Sequence, residues 1–211
     1  MTTFVFSIII LIFSVVIHEV SHGYVAYLLG DNTAFYQGRL TLNPLKHLEW
    51  FGSFILPLVL GLTSHGSFIL GWAKPVPFNP YNLQPQRWGL PTRAGEALVA
   101  IAGPLSNICI ALFFGLLIRF GVAQRFGDAF TYISATIVLV NLILATFNLI
   151  PVPPLDGSKI LFSIIPYHMQ NIRNSLERNG IYIMIFFIFF LWQFILPVVG
   201  WEFHLITGFV G

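Results

Sequence analysis

The sequence predicts an all-α polytopic membrane protein, with about four full transmembrane helices and one re-entrant or β-hairpin element. Two observations carry that expectation. Of the 211 residues, 56% are hydrophobic and 9% charged, against roughly 25% charged in an ordinary soluble domain. Several apolar runs also approach or exceed the about 20 residues that a helix needs to cross a hydrocarbon core. With no internal repeat and no low-complexity tail, residues 1–211 read as one membrane-embedded domain.

The first predicted span covers residues 4–28, where the apolar stretch from Phe4 to Ile17 runs without a break into HEVSHGYVAYLL. Basic residues at its start and a small-residue cleavage site at its end are both missing, so it reads as a span and not as a signal peptide. Gly30 and Asp31 end the helix. Residues 32–50 are polar and irregular, with a turn at Asn43 and Pro44. The apolar run from Phe51 to Leu62 carries Pro57 and Gly61 and is marginal as a crossing. It leads into SFILGWAKPVPFNP, whose alternation and prolines favour extended backbone. Residues 51–80 are therefore assigned to the re-entrant element. Further spans are predicted at 96–118, containing AGPLSN, at 130–150, ending in NLIPVPPLDG, and at the aromatic run 181–199. A short helix is expected from Ser158 to Ile165.

Ten basic and eight acidic residues give a net charge of +2 and lie scattered along the chain. No basic run matches a row of phosphates, so nucleic acid is not an expected partner. The lone cysteine, Cys109, excludes disulfides within the chain and a thiolate metal cluster. A metal site must therefore draw on His, Asp or Glu.

His18 and His22 are four residues apart, hence turned by about 40° and separated by about 6 Å along a helix, so both imidazoles can reach one ion. Glu19 lies about 100° away and can face the ion's open side without ligating it. This is the His-Glu-x-x-His spacing of zinc sites in which the glutamate handles a proton. Ionisable groups in an apolar run are costly and usually functional. A hydrolytic zinc takes a third protein ligand. His47, His65, His168 and His204 are isolated, whereas Asp156 follows a span directly, on backbone that prolines keep from being helical. Asp156 can equally serve as N-cap of the helix that begins near Ser158. Asn148 can bridge helices or donate hydrogen bonds to an oxygen that becomes negative during hydrolysis. The extended segment from Gly71 to Pro77, including Trp72, Ala73 and Lys74, can pair with a substrate as an added strand or form a plain structural hairpin.

HEVSH at 18–22, GWAKPVPFNP at 71–80, AGPLSN at 102–107 and NLIPVPPLDG at 148–157 resemble, in order, the motifs of the site-2 protease family of intramembrane zinc metalloproteases. The resemblance is to its small bacterial-type members, and it covers most of the chain. It implies one Zn2+ held by His18, His22 and Asp156, with Glu19 as base and Asn148 assisting the substrate or transition state. Gly71, Trp72, Ala73, Lys74 and Asn107 are the candidate substrate-binding residues. Glu49 stands where many relatives carry Asp.

For His22 and Asp156 to share an ion, the spans at 4–28 and 130–150 must run parallel, with 96–118 as the single crossing between them. With residues 51–72 entering and leaving on one face, the inner loops hold Arg39, Lys46, Lys74, Arg87, Arg93, Lys159, Arg173 and Arg178, and the outer ones Arg119 and Arg125. The positive-inside tendency then puts the metal nearer the cytoplasm of a cell membrane. The expected partners are the lipid bilayer, a single-pass or otherwise membrane-anchored protein substrate, and a regulatory membrane protein. A membrane zinc transporter is the rival reading, because His and Asp also line ion paths.

Overall fold

The computed structural model describes residues 2–47, 49, 74–165 and 170–209. Its order is α1 (Thr2–Leu28), α2 (Thr33–Tyr36), α3 (Ala94–Arg119), α4 (Val122–Arg125), α5 (Asp128–Asn148), α6 (Asp156–Ile164) and α7 (Gln170–Thr207), with 3-10 turns at Pro44–Lys46, Pro80–Asn82 and Pro85–Trp88. Among the described residues there is no strand. Most of the predicted hairpin, residues 51–73, lies outside them.

Among the described residues, three helices are long and apolar enough to cross a bilayer: Val5–Leu28, Ala94–Arg119 and Asp128–Asn148. At 1.5 Å per residue, even the 21-residue α5 is about 32 Å long, sufficient for a core of about 30 Å. The chain is a multi-pass membrane protein. The predicted fourth span, 181–199, falls wholly within the 38 residues of α7, which carries Pro197 in its interior.

α3 is the central helix and packs on α1, α5, α6 and α7. Its buried residues are mostly small, among them Gly95, Ala100, Ala102, Gly103, Ala111 and Gly115, which is how helices approach closely where lipid supplies no hydrophobic drive between them. A Cβ on Gly115 would lie 2.3 Å from Ile206 Cγ2 of α7. Ala111 and Ile118 of α3, Val138 and Leu142 of α5, and Ile195 and Val199 of α7 form one apolar core. A second, at the other end of α3, joins Val99 to Ala26, Leu29 and Leu83.

Side-chain contacts fix the helix directions. Along α1, Ser14 meets Asn141 of α5, and His18 and His22, farther on, meet Asp156 just beyond that helix. α1 and α5 therefore run parallel. Along α3 the order reverses, with Asn107 at Ser14 and His18 but Val99 at His22, so α3 is antiparallel to both.

The end of α1 is closed by two backbone bonds, Gly30 N–H to Tyr27 O and Asp31 N–H to Ala26 O, with Gly30 at φ 101°. That pairing is a Schellman motif, which requires a left-handed residue that glycine supplies without strain. The buried Asp31 carboxylate then gathers the following loop. It accepts from the Thr33 backbone and hydroxyl, Asn79 N–H (2.7 Å) and Asn82 Nδ2 (3.0 Å). Arg39, also buried, donates to the carbonyls of Lys46, Lys74 (3.0 Å) and Pro75 (3.3 Å). Lys74 N–H donates to His47 O at 2.8 Å, so the chain that departs at residue 47 is back at the same place at residue 74.

Candidate metal centre

His18 and His22 stand one turn apart on α1, their ring centroids 4.6 Å apart and their planes at 86°. Asp156 reaches them because Pro151, Pro153 and Pro154 keep the chain from continuing α5 as a helix beyond Asn148. α6 starts at Asp156 itself. Leu155 is its N-cap and makes no side-chain cap, so Asp156 points to the histidines and the capping alternative does not apply. Gly157 is needed for this approach, since a Cβ there would lie 2.2 Å from Leu149 O and 2.4 Å from Ile150 O.

The three donor atoms form a nearly regular triangle: His18 Nε2 to His22 Nε2 3.0 Å, His18 Nε2 to Asp156 Oδ2 3.2 Å, and His22 Nε2 to Asp156 Oδ2 3.1 Å. All three residues are buried. A tetrahedral zinc with bonds of about 2.0–2.1 Å spaces its donors by about 3.3 Å, so the set needs almost no adjustment to take such an ion. The far nitrogens are also held. His22 Nδ1 lies 2.7 Å from Val99 O, a group that can only accept, so Nδ1 carries the proton and Nε2 offers its lone pair inward. His18 Nδ1 lies 2.6 Å from Asn107 Oδ1. Such outer partners orient metal-binding imidazoles. Among the described residues this is the one group of three or more such donors.

The floor of the triangle is α3 backbone. A Cβ on Gly103 would stand 2.4 Å from His22 Nε2 and 2.6 Å from His18 Nε2. Beside the donors, the half-buried Glu19 accepts from Val76 N–H at 2.8 Å through Oε2. Lys159 Nζ lies 3.7 Å from Asp156 Oδ1 and 5.3 Å from the Phe78 ring centroid. Lys159 also lines a cavity of about 730 Å³ that Arg93, Glu96, Phe162, Arg173 and Glu177 help to enclose.

The sequence profile of peptidase family M50 matches residues 122–191. YwhC of Bacillus subtilis, provisionally named a zinc metalloprotease, is 40% identical over 198 residues, covering 90% of this chain and 80% of its own. The chain belongs to peptidase family M50. A second relative, MJ0611 of Methanocaldococcus jannaschii, is 30% identical over 74% of this chain and 72% of its own, and is also provisionally named a zinc metalloprotease. MJ0392 of the same organism, named a zinc metalloprotease, is 37% identical over 73 residues, 35% of this chain and 21% of its own. No solved structure matches the chain. The expected membership of the site-2 protease family is thereby borne out.

Within this M50 chain the structure brings His18, His22 and Asp156 together and sets Glu19 beside them. Asn148 is half-buried, with Nδ2 donating to Leu144 O on its own helix at 2.9 Å. Asn107 is fully buried and faces inward: Oδ1 meets His18, and Nδ2 donates to Asn141 Oδ1 (2.7 Å) and Ser14 O (3.5 Å). Its contacts are those of a histidine support rather than of a group facing a substrate. Gly71, Trp72 and Ala73 lie outside the described residues. Lys74 has an exposed side chain, and its N–H and C=O are engaged by His47 and Arg39. Sequence reasoning missed the support of Gly103, Val99 and Asn141. Only a glycine next to Pro104, in an apolar span, marked the place.

Proposed function

We propose that this M50 protein is a zinc endopeptidase of the His-Glu-x-x-His type that hydrolyses peptide bonds of membrane-anchored proteins within or near the bilayer. The observation that carries the reading is the buried His18–His22–Asp156 triangle with Glu19 alongside. One zinc ion per chain is assigned to those three residues. Bound zinc supplies a water acidified towards a pKa of about 7 and polarisation of the scissile carbonyl.

Glu19 is the base in this reading. Its carboxylate takes the proton of the attacking water and returns it to the amide nitrogen as the C–N bond breaks, leaving a carboxylic acid and an amine, which then exchange a proton to become carboxylate and ammonium. The Val76 N–H bond on Oε2 holds the Glu19 side chain in one orientation, which favours that transfer. Asn148 is assigned to the developing oxyanion, its amide being released from Leu144 O when substrate is bound. A helical substrate hides its peptide bonds, so it unwinds locally before attack. Its exposed strand is assigned to the segment of Gly71, Trp72, Ala73 and Lys74, ahead of Pro75 C=O and Val76 N–H, which Arg39 and Glu19 engage. The cavity that Lys159 lines is assigned as the entry for water, on the face that the positive-inside tendency gives to the cytoplasm. A role in regulated proteolysis, with a membrane partner controlling access, fits a centre enclosed on several sides.

The test is cleavage of a single-pass model substrate by purified protein in proteoliposomes. Glu19→Gln is expected to retain one zinc per chain and to lose cleavage by about 10²-fold or more. A zinc-loaded Glu19→Gln protein that cuts as fast as the parent overturns the assignment of Glu19.

A further inference from the structure

Ser14, Asn107 and Asn141 sit within three different spans and are all buried, Asn107 and Asn141 completely. Polar groups at such depth are expensive unless paired. Here they are paired in a chain with a fixed direction. Ile137 O, a backbone carbonyl, can only accept, and Asn141 Nδ2 donates to it at 2.9 Å and to Ser14 Oγ at 2.9 Å. With its nitrogen so committed, Asn141 turns Oδ1 to Asn107, which must answer with Nδ2 (2.7 Å). Asn107 Oδ1 is thereby left facing His18 Nδ1 at 2.6 Å.

We infer that Asn141, acting through Asn107, is a positioning residue that selects the His18 tautomer able to bind metal. An oxygen opposite Nδ1 requires the proton there, so Nε2, which faces the Asp156 carboxylate at 3.2 Å, is the nitrogen left to give a lone pair to a metal. If the Asn107 amide turned over, its NH2 would face Nδ1, the proton would move to Nε2, and an N–H would point into the centre. Asn107 alone does not choose between these states, because its second acceptor, Ser14 O, is a long 3.5 Å away. Asn141 does, since its own orientation is anchored on Ile137 O. The inference rests on His18 being a ligand, as in the proposed function.

Two variants test it in detergent-solubilised full-length protein. The His18 ring-nitrogen signals are read in the metal-free, ¹⁵N-histidine-labelled protein, and zinc affinity is read by competition with a chromophoric chelator. The parent is expected to show His18 protonated at Nδ1. Asn141→Leu is expected to show a population unprotonated at Nδ1 and zinc affinity lowered about 10–100-fold, the range for removal of an outer-shell partner. Asn141→Asp can still accept from Asn107, so it is expected to keep the Nδ1 tautomer and an affinity within about threefold of the parent, even where its melting temperature falls. Simple helix-to-helix bonding predicts instead that affinity follows melting temperature in both variants, and that result overturns the inference. So does an Asn141→Leu protein with the parental tautomer and affinity. If the parent took up no zinc, the metalloprotease reading would fall, while the tautomer comparison would still decide the role of Asn141.

Discussion

Gly103 shows how tightly single residues bound the centre. Its missing side chain lets α3 pass directly beneath the two histidines, and no rotamer adjustment can relieve a Cβ 2.4 Å from His22 Nε2. Gly103→Ala is expected to displace one or both imidazoles and to weaken zinc binding by at least about 100-fold, measurable by metal content after dialysis against a chelator. Gly95→Ala on the same helix is the contrast. Its Cβ would meet Leu83 side-chain atoms at 3.2–3.3 Å, which can shift, so zinc content should stay at the parental level with a stability cost of about 1 kcal/mol. His18, Glu19 and His22 were legible because their spacing alone puts them on one helical face. Gly103 and Asn141 were not, since a glycine or an amide in an apolar span reads as ordinary helix packing. Their roles exist only once three helices are in register.

At the scale of elements, two buried charges tie together the described residues between α1 and α3. Asp31 ties the C-terminus of α1 to Asn79 and Asn82, Arg39 ties residue 46 to residues 74 and 75, and Val76 between them reaches Glu19. Removing the buried Asp31 carboxylate leaves donors of Thr33, Asn79 and Asn82 without their shared acceptor. Asp31→Ala is expected to cost about 3 kcal/mol, visible as faster proteolysis near residues 74–84 at neutral pH. Burial by itself would raise the Asp31 pKa, but hydrogen bonds from Thr33, Asn82 and Asn79 outweigh it and hold the group below the ordinary carboxylate value. A depressed folded-state pKa makes the contribution full above the unfolded value of about 3.9 and lost as pH falls through the lower folded one. Protease resistance of this loop should therefore persist at pH 5 and begin to fall only below about pH 4, as the pH drops towards the lower folded value. Asp31→Asn should remove that pH dependence. The helix end at Gly30–Asp31 and the turn at Asn43–Pro44 were readable from residue type. The Asp31 and Arg39 networks were not, because each joins positions up to 51 residues apart in sequence.

For the whole molecule, the parallel course of α1 and α5 was deducible before any coordinates, because two ligands of one ion must meet at one depth. Contacts along α1 now give that direction independently of the metal. They leave open which face of the membrane holds the centre, for which the loop charges supply an expectation. Arg87 is exposed in the loop whose Gln84 N–H donates to Leu29 O at 2.7 Å, seven residues beyond His22 and so about 10 Å farther along α1. Arg125 is exposed in α4, beyond the far end of α3. These two positions therefore report opposite faces. In a Cys109→Ser background, Arg125→Cys is expected to react with a membrane-impermeant maleimide in intact cells, and Arg87→Cys only after permeabilisation. The positive-inside tendency predicts that order, as the proposed cytoplasmic position of the cut and its water supply requires. The reverse pattern would invert the protein, move the centre to the outer half of the bilayer, and require substrates whose cleavage site lies there.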